Sequence, residues 1–335
     1  MNKELDLWQF VRDRLRQNQA VILLVVATST GSSPGRQGYK MAVASDGELF
    51  GSIGGGVMEV RLVEQSRAVL SVPPAVAGGL SSAISEQIHQ RTSQNASGMI
   101  CSGKQTVIFK QLNGDDLGTV KTIIFALKNR ELKYLFITPI LFRVGPPKGG
   151  TLNEDTLNED YTFEKLTDRD FFYRERLGKK NDLYIVGGGH CALALSELMA
   201  KMDFHIRIFD DRPELNTLEK NRFADEISVI DDYEQIGDMI PAGSNIYVVV
   251  MTLGYTSDEV VIRKLLDKDF KYFGVLGSKA KMATLLKNLK SVGFDAARLD
   301  QLHTPIGLAI NSRTPEEIAV SIAAEIIAVK NMSQY

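Results

Sequence analysis

The sequence predicts an α/β protein with two domains, the second of which is built on a parallel sheet. The chain has 335 residues, which is longer than the usual length of a domain with a single hydrophobic core. Strand-like and helix-like segments alternate from residue 182 onward, which is typical of parallel strands joined by right-handed helical crossovers. Two glycine-rich turns, "GSIGGG" at 51–56 and "VGGGH" at 186–190, each precede a helical pattern. We therefore expect one ligand-binding turn in each domain.

Composition narrows the class of protein. Apolar residues at 44% and charged residues at 24% are ordinary for globular proteins, and a net charge of -2 argues against non-specific nucleic-acid binding. No apolar run approaches the roughly 20 residues that span a bilayer. The first ten residues carry acids where a signal peptide needs a basic region, so we expect a cytoplasmic location. The two cysteines, Cys101 and Cys191, exclude a disulfide framework and a C-x-x-C metal site.

The first domain is predicted over 1–144. It starts with a helix near 3–18 and continues with "AVILLVVAT", an apolar run that favours a strand covered on both faces. Asp46-Gly47 predicts a hairpin. Residues 72–98 are poor in large apolar side chains and are predicted to be a mobile connection. We interpret 145–179, with its repeated "TLNED", as a linker with room for a short exposed hairpin.

The second domain is predicted over 180–335. Its strands are "DLYIV", "HIRIF", "EISVI", "IYVVVM" and "YFGVLG", with helices near 190–203, 256–268 and 278–292. Thr314, Pro315 and Glu317 form an N-cap, a first helical proline and a capping box, and so predict where the last helix begins.

The turn at 187–189 has the features of a dinucleotide site. Gly187, Gly189 and Ala192 form G-x-G-x-x-A between a strand and a helix, and Asp210 ends the next strand 23 residues after Gly187. Gly189 would let the backbone approach a diphosphate, and Asp210 would accept hydrogen bonds from a ribose hydroxyl. Arg212 is expected to shape the loop after Asp210. The alternative is a glycine-lined turn without a ligand. The second domain is thus predicted to be Rossmann-like, with NAD(P) or another nucleotide as its ligand.

Other residues are expected at the same edge of this sheet. His190 lies inside the turn and is either a surface or capping residue, or a ligand contact or proton donor. Thr252 and Tyr255 follow the fourth strand, and Ser278 with Lys279 follows the fifth. Because the carboxyl ends of parallel strands share one edge, these loops should converge there.

The turn at 51–56 is a different kind of site. Gly54, Gly55 and Gly56 precede a helix and can gather backbone N–H groups around an anion or a flat polar ligand, but no acid follows at dinucleotide spacing. Glu59 either reaches this ligand or faces water. Further candidate contacts are Ser32, Ser33 and Arg36 in the loop "GSSPGRQG".

Cys101 is the candidate for soft-metal chemistry. It lies in "SGMICSGKQ", a polar segment with Lys104 nearby, and this setting favours a reactive thiolate. The alternative is a small buried apolar side chain, which is the interpretation we prefer for Cys191.

Together these motifs resemble the XdhC/CoxI family of accessory factors for xanthine dehydrogenase and related molybdenum hydroxylases. The resemblance rests on "TGSSPGRQGYKM", "DGELFGSIGGGVMEVRLVEQS" and "SGMICSGKQ" in the first half. In the second half it rests on "YIVGGGHCALALSELMAKMDFHIRIFDDRPE", "YFGVLGSKAKM" and "TPIGLAINSRTPEEIAVSIAAEIIA". It implies a cytoplasmic homodimer that binds the molybdenum cofactor (molybdopterin), protects it during sulfuration and delivers it to the hydroxylase. Cys101 is then a candidate molybdenum contact.

The resemblance also implies partners and has one departure. The expected partners are a xanthine dehydrogenase-like molybdenum hydroxylase, a cysteine desulfurase and cofactor-synthesis proteins. Many family members carry a histidine-rich segment after the fourth strand, whereas this chain has "MTLGYTSDE". The alternatives to a cofactor-insertion chaperone are an NAD(P)-dependent oxidoreductase and a protein-interaction adaptor, because the fold alone does not decide function.

Overall fold

The structure, a computed structural model, describes residues 3–72, 84–89, 103–146, 160–167, 170–202 and 204–332. The chain divides into two compact units, Asn2–Gly178 and Lys179–Tyr335, which we call the first and the second unit. Among the described helices, none combines the length and the apolar character needed to cross a membrane.

The first unit contains two antiparallel sheets and three α-helices among its described residues. The elements, in chain order, are α1 (Lys3–Arg16), β1 (Val21–Gly31), β2 (Lys40–Ala44), β3 (Leu49–Gly51), α2 (Gly56–Leu70), β4 (Ile84–His89), β5 (Gly103–Leu112), α3 (Leu117–Asn129), β6 (Tyr134–Ile137), β7 (Phe142–Gly145), β8 (Tyr161–Lys165) and β9 (Phe171–Arg176). One sheet has the order β3-β2-β1-β5-β4 and the other β7-β6-β9-β8. The predicted hairpin at Asp46-Gly47 is confirmed by the antiparallel pairing of β2 with β3.

Strand β1 is the centre of the first unit. Every residue from Val21 to Ala27 is fully buried, as its continuous apolar sequence predicts. The odd-numbered side chains of β1 pack in the same core as α1 and α3, and the even-numbered ones in the same core as α2. This alternation follows from the two-residue period of a strand. One strand therefore serves two separate apolar layers.

The linker predicted over 145–179 needs correction. Strands β8 and β9 lie inside it, and β9 pairs with β6 as well as with β8. Phe171 and Tyr173 of β9 are buried in the same core as α1 and α3. The division between the units falls at Gly178. The strand was not predicted because the charged run "RER" is typical of an exposed segment. In the structure Arg174 and Glu175 of this run are buried. Strand β4 likewise lies within the connection predicted over 72–98.

A buried ion pair joins β9 to β2. The ammonium of Lys40 lies 2.7 Å from Oε1 of Glu175, and the two side chains are only 7% and 4% exposed. Glu4 of α1 lies 3.6 Å from the same ammonium, and the Tyr173 hydroxyl donates to Glu175 at 3.0 Å. Burial alone would lower the pKa of Lys40, but the two carboxylates outweigh it and raise that pKa. The cluster thus ties three elements of the first unit together.

The second unit is a doubly wound parallel sheet. The elements, in chain order, are β10 (Asn181–Val186), α4 (His190–Met199), β11 (Phe204–Asp210), α5 (Asn216–Lys220), β12 (Glu226–Val229), α6 (Ile236–Met239), β13 (Gly243–Val250), α7 (Tyr255–Leu265), β14 (Phe270–Val275), α8 (Lys279–Ser291), α9 (Ala296–Leu299) and α10 (Pro315–Asn331). The strand order is β12-β11-β10-β13-β14, and every pair is parallel. The predicted fold class is therefore confirmed.

Helices cover both faces of this sheet. Helices α4 and α10 pack in one core, and α7 and α8 pack in the other. The start of α10 follows the prediction: Thr314 accepts from the backbone N–H of Glu317, whose carboxylate accepts from that of Thr314, with Pro315 at the first turn. The strand order reverses between β10 and β13, and open α/β sheets bind their ligands at such a point.

The ion pair of Lys40 gives a prediction on stability. Lys40→Met leaves Glu175 as an uncompensated buried carboxylate, so we expect the free energy of unfolding of the first unit to fall by about 3–5 kcal/mol. Urea titration followed by fluorescence measures it, because the single tryptophan of the chain, Trp8, is buried in this unit. Lys133→Met is the control, since Lys133 is 31% exposed in its pair with Glu131. The control should cost less than about 1 kcal/mol. Equal losses in the two variants would contradict the assignment.

Candidate functional site

The glycine turn of the second unit lies against the loop that follows β13. A Cβ at Gly187 would lie 2.3 Å from the backbone oxygen of Met251, so only glycine fits there. The φ of Gly187 is +107°, which also favours glycine. The turn and the loop are therefore in backbone contact at the point where the strand order reverses. We call the edge between them the β10/β13 crevice.

Two helices begin at this crevice with a glycine that the fold does not require. Gly189 precedes α4 with φ -68°, and Gly254 precedes α7 with φ -133°, both of which any residue adopts. No described atom lies within 4 Å of a Cβ built at either position. Within the described chain, neither helix start has a side-chain cap. Serine, threonine or aspartate would stabilise such starts better. Glycine leaves both helix starts open for close backbone approach by a ligand.

A fully buried carboxylate organises the side of the crevice near β13. Oδ1 of Asp258, in the first turn of α7, accepts from the backbone N–H of Thr252 at 3.1 Å and lies 2.6 Å from the Thr252 hydroxyl. Its Oδ2 lies 2.7 Å from the ammonium of Lys281 on α8. Neither Asp258 nor Lys281 was predicted as a site residue. The sequence did carry a signal that could have found them. Asp258 and Lys281 each fall in the first predicted turn of a helix that follows a buried strand.

Asp210 is placed as predicted, but its acceptors are already used. Oδ1 accepts from the backbone N–H and Nε of Arg212 at 2.9 and 2.8 Å. Oδ2 accepts from the backbone N–H of Gly188 at 2.6 Å and from Nη2 of Arg212 at 2.7 Å. Burial raises the pKa of Asp210, but these hydrogen bonds outweigh it and lower that pKa. A ribose hydroxyl reaches this carboxylate only if the guanidinium of Arg212 moves away.

The other predicted residues of this edge have different roles. His190 is exposed at the start of α4. Tyr255 accepts a hydrogen bond from Asn288 at 2.8 Å, so its hydroxyl is held by α8. Ser278 is exposed and caps α8 by accepting from the backbone N–H of Lys281. Thr252 is held by Asp258. The structure thus brings the loops together, while most of their polar side chains bind one another.

In the first unit, Gln105 joins the two predicted loops. Its Oε1 accepts from the Ser33 hydroxyl at 2.7 Å and from the backbone N–H of Gly35 at 3.2 Å. Its Nε2 donates to the backbone oxygen of Ile53 at 2.9 Å. A Cβ at Gly54 would lie 2.4 Å from the nitrogen of Gly35, so the loops touch through their backbones. Gln105 is fully buried and was not predicted.

Glu59 binds its own loop. A single oxygen, Oε2, accepts from the Ser52 hydroxyl at 2.7 Å, from the backbone N–H of Ile53 at 2.8 Å and from that of Gly55 at 3.0 Å. The N–H group of Gly55, which was expected to face an anion, and that of Ile53 are therefore taken by the chain itself. Gly56 is the first residue of α2. Ser32 and Arg36 stay exposed beside this turn. Cys101 lies outside the described residues.

Comparisons with known proteins agree with both units. The profile of the XdhC Rossmann domain matches residues 183–326, and that of the XdhC and CoxI family matches residues 14–74. A crystal structure from Bacillus halodurans named as a xanthine dehydrogenase superposes with a TM-score of 0.68 at 22% identity, over 99% of this chain and 96% of that chain. At that identity the likeness shows the fold alone.

Two curated relatives extend the comparison. YqeB, an uncharacterized protein of Escherichia coli strain K12, is 23% identical over 319 residues, or 94% of this chain and 44% of that protein. A protein of Bacillus subtilis strain 168, named as a probable subunit of xanthine dehydrogenase, is 28% identical over 158 residues, or 47% of this chain and 45% of that protein. The matches thus span less than half the length of either relative.

The fold and the matched regions define the second unit as a Rossmann domain of the XdhC type. The XdhC and CoxI profile precedes the XdhC Rossmann profile along the chain, and together they span more than half of it. The chain belongs to the XdhC/CoxI family, and the predicted membership is confirmed.

The contacts of Glu59 predict a structural role. Glu59→Ala removes the acceptor of three donors, so we expect the unfolding free energy of the first unit to fall by about 1–3 kcal/mol. Glu59→Gln keeps one oxygen acceptor and should recover part of that loss. Glu64→Ala, at an exposed position of the same helix, is the control and should change stability by about 0.5 kcal/mol or less. Trp8 fluorescence in urea measures all three variants. A Glu59→Ala variant as stable as the control would refute the role.

Proposed function

We propose that this protein serves the maturation of a molybdenum hydroxylase of the xanthine dehydrogenase type. The observation that carries the proposal is the match of two XdhC/CoxI profiles on one chain, with the XdhC and CoxI family profile before the XdhC Rossmann profile. The name of the B. subtilis relative links it to that class of enzyme and supports the proposal. In this proposal the protein holds the molybdenum cofactor as cargo, protects it while a cysteine desulfurase supplies sulfur, and passes it to the hydroxylase.

The first unit is the proposed cargo site. Molybdopterin offers a phosphate, a flat hydrogen-bonding pterin and a soft, sulfur-ligated metal. Arg36 is exposed, and its guanidinium suits the phosphate. No described atom lies within 4 Å of a Cβ at Gly55, so that face of the turn leaves room for a flat ring. Because Glu59 takes the N–H groups of Ile53 and Gly55, we assign the phosphate to Arg36 and Ser32 rather than to the glycine turn.

Cys101 completes this proposed site through its position in the sequence. Gly103, two residues later, starts β5 directly against the loop "GSSPGRQG" at 31–38, which we call the serine loop: a Cβ there would lie 2.7 Å from the nitrogen of Ser33. We propose that the Cys101 thiolate provides the soft contact to molybdenum. Lys104 was expected to favour this thiolate, but its ammonium pairs with Glu86 at 3.0 Å.

The second unit is the proposed nucleotide site. Its support is the β10/β13 crevice, where Gly189 and Gly254 leave two helix starts open. An NAD(P)-dependent oxidoreductase is the competing function, and the same fold favours it. Such an enzyme needs a proton donor or acceptor facing the substrate. Tyr255 and Asp258, the titratable residues of the α7 start, are both engaged by α8. We therefore favour nucleotide binding without redox turnover.

Gly189 tests the nucleotide site. Gly189→Val places a branched side chain where a diphosphate would meet the backbone, and the φ and open space at this position let the fold persist. We expect calorimetry to show NADH binding by the wild type and a loss of at least about tenfold in the variant. Ala297→Val, at an exposed position of α9, should bind as the wild type does. If the wild type fails to bind NADH, or the Gly189 variant binds equally well, the dinucleotide site is wrong.

Cys101 tests the cargo site. Cys101→Ser keeps the size of the side chain but removes the soft donor, so activation of an apo-hydroxylase at equal protein loading should fall by about tenfold, as for a lost contact in a metal site. Cys191→Ser is the matched control and should activate normally. Burial, with a smaller contribution from Glu316, raises the pKa of the Cys191 thiol. Cys101 should therefore alkylate faster than Cys191, and bound cofactor should slow it. Undiminished activation by Cys101→Ser would remove the thiolate from the proposal.

A further inference from the structure

Lys281, near the start of α8, is a cation held in place by a buried carboxylate of α7. Its ammonium lies 2.7 Å from Oδ2 of Asp258, whose side chain is 0% exposed while that of Lys281 is 30% exposed. The lysine belongs to the first turn of α8 and the aspartate to the first turn of α7. Because the carboxylate is rigidly buried, the position of the ammonium is fixed, unlike that of a lysine extending into solvent.

The same carboxylate fixes the loop after β13. While Oδ2 of Asp258 holds Lys281, Oδ1 holds both the backbone N–H and the hydroxyl of Thr252. The backbone of Thr252 in turn lies against the glycine turn, since a Cβ at Gly187 would be 2.8 Å from the Thr252 nitrogen. A continuous series of contacts therefore runs from the glycine turn to Lys281. The ammonium lies on the same sheet edge as the open starts of α4 and α7.

The chemistry of this lysine favours an anion. An ammonium has three N–H donors, and Asp258 is its hydrogen-bond partner among the described residues. Its exposed part leaves donors available to a ligand. A positive charge in the first turn of a helix is unfavourable by itself, because the helix dipole is positive there. Lys279, an exposed lysine two residues earlier, adds a second positive charge to the same turn. Asp258 offsets one of these two charges, and an anion bound beside Lys281 would offset the other.

We propose that Lys281 is the cationic contact for a phosphate or diphosphate group of the ligand in the β10/β13 crevice, and that Asp258 and Thr252 are its positioning residues. The proposal rests on nucleotide binding by the second unit. It adds to that site a positively charged group that would bind the phosphate. Direct contact of an ammonium with a phosphate is a charge-assisted hydrogen bond, stronger than one between neutral groups.

The test is calorimetric titration of the full chain with NADH and, separately, with inorganic pyrophosphate. Lys281→Gln should weaken both ligands by about tenfold or more, the loss expected for a hydrogen bond to a charged group. Lys281→Arg should restore most of the affinity. Lys279→Gln, the matched control, should bind within about twofold of the wild type, since screening by salt makes an exposed charge worth little. The slope of log Kd against log salt concentration should become shallower in Lys281→Gln alone.

A loss in Lys281→Gln with retention in Lys279→Gln supports the assignment. Unchanged affinity in Lys281→Gln, or equal losses in both lysine variants, overturns it while leaving nucleotide binding in place. Absence of binding by the wild type overturns both the assignment and the nucleotide site. Asp258→Asn separates positioning from folding: it should weaken NADH even where thermal unfolding shows an intact second unit. Wild-type affinity in a folded Asp258→Asn protein would mean that Lys281 needs no such support, and the positioning role would fall.

Discussion

Gln105 and Asp258 are fully buried polar side chains, and each holds two loops of its unit in contact. A buried amide or carboxylate costs free energy unless its hydrogen-bonding atoms find partners, so each fixes the loops that supply them. In the first unit the partners are the serine loop and the glycine turn. In the second they are the loop after β13 and the first turn of α8. The geometry of both candidate sites therefore depends on an interior hydrogen bond rather than on exposed side chains.

Glycines make these contacts between loops possible. Gly187 and Gly54 each lie where a Cβ would collide with the backbone of the neighbouring loop. Gly189 and Gly254 differ, because the described chain gives neither a steric reason to be glycine. The first pair serves the fold of the loops, and the second pair leaves space at their surface. The number of glycines in a motif is therefore a weak indicator of ligand binding. The atoms that surround each glycine are a better one.

The sequence predicted elements well where periodicity and local chemistry agreed. The five parallel strands, the capping box of α10 and the doubly buried β1 are all of this kind, because each follows from patterns within a few residues. It failed at β9, where Arg174 and Glu175 look like surface residues but are buried by partners distant in sequence. The same limit applies to Glu59 and Asp210: their positions could be predicted, but not that their own loops would saturate them. Partners of a carboxylate depend on tertiary packing, which a single sequence does not show.

The departure from the family pattern after β13 also has a structural counterpart. Where the family resemblance implies histidines, Thr252 is engaged by Asp258 and Tyr255 by Asn288. His190 is exposed at the start of the neighbouring helix α4. The side chains of Thr252 and Tyr255 are thus held by neighbouring helices, where an imidazole would have titrated near neutral pH.

The carboxylate of Glu59 has a consequence for how a cargo would be exchanged. Because Glu59 supplies the turn at 51–56 with an internal acceptor, the N–H groups of Ile53 and Gly55 are satisfied within the chain itself. Arrival of a ligand then orders little additional backbone, and its departure releases little, so the conformational entropy of the loop contributes weakly to affinity in either direction. A turn that is pre-organised in this way would present the same backbone surface to a ligand before and after binding.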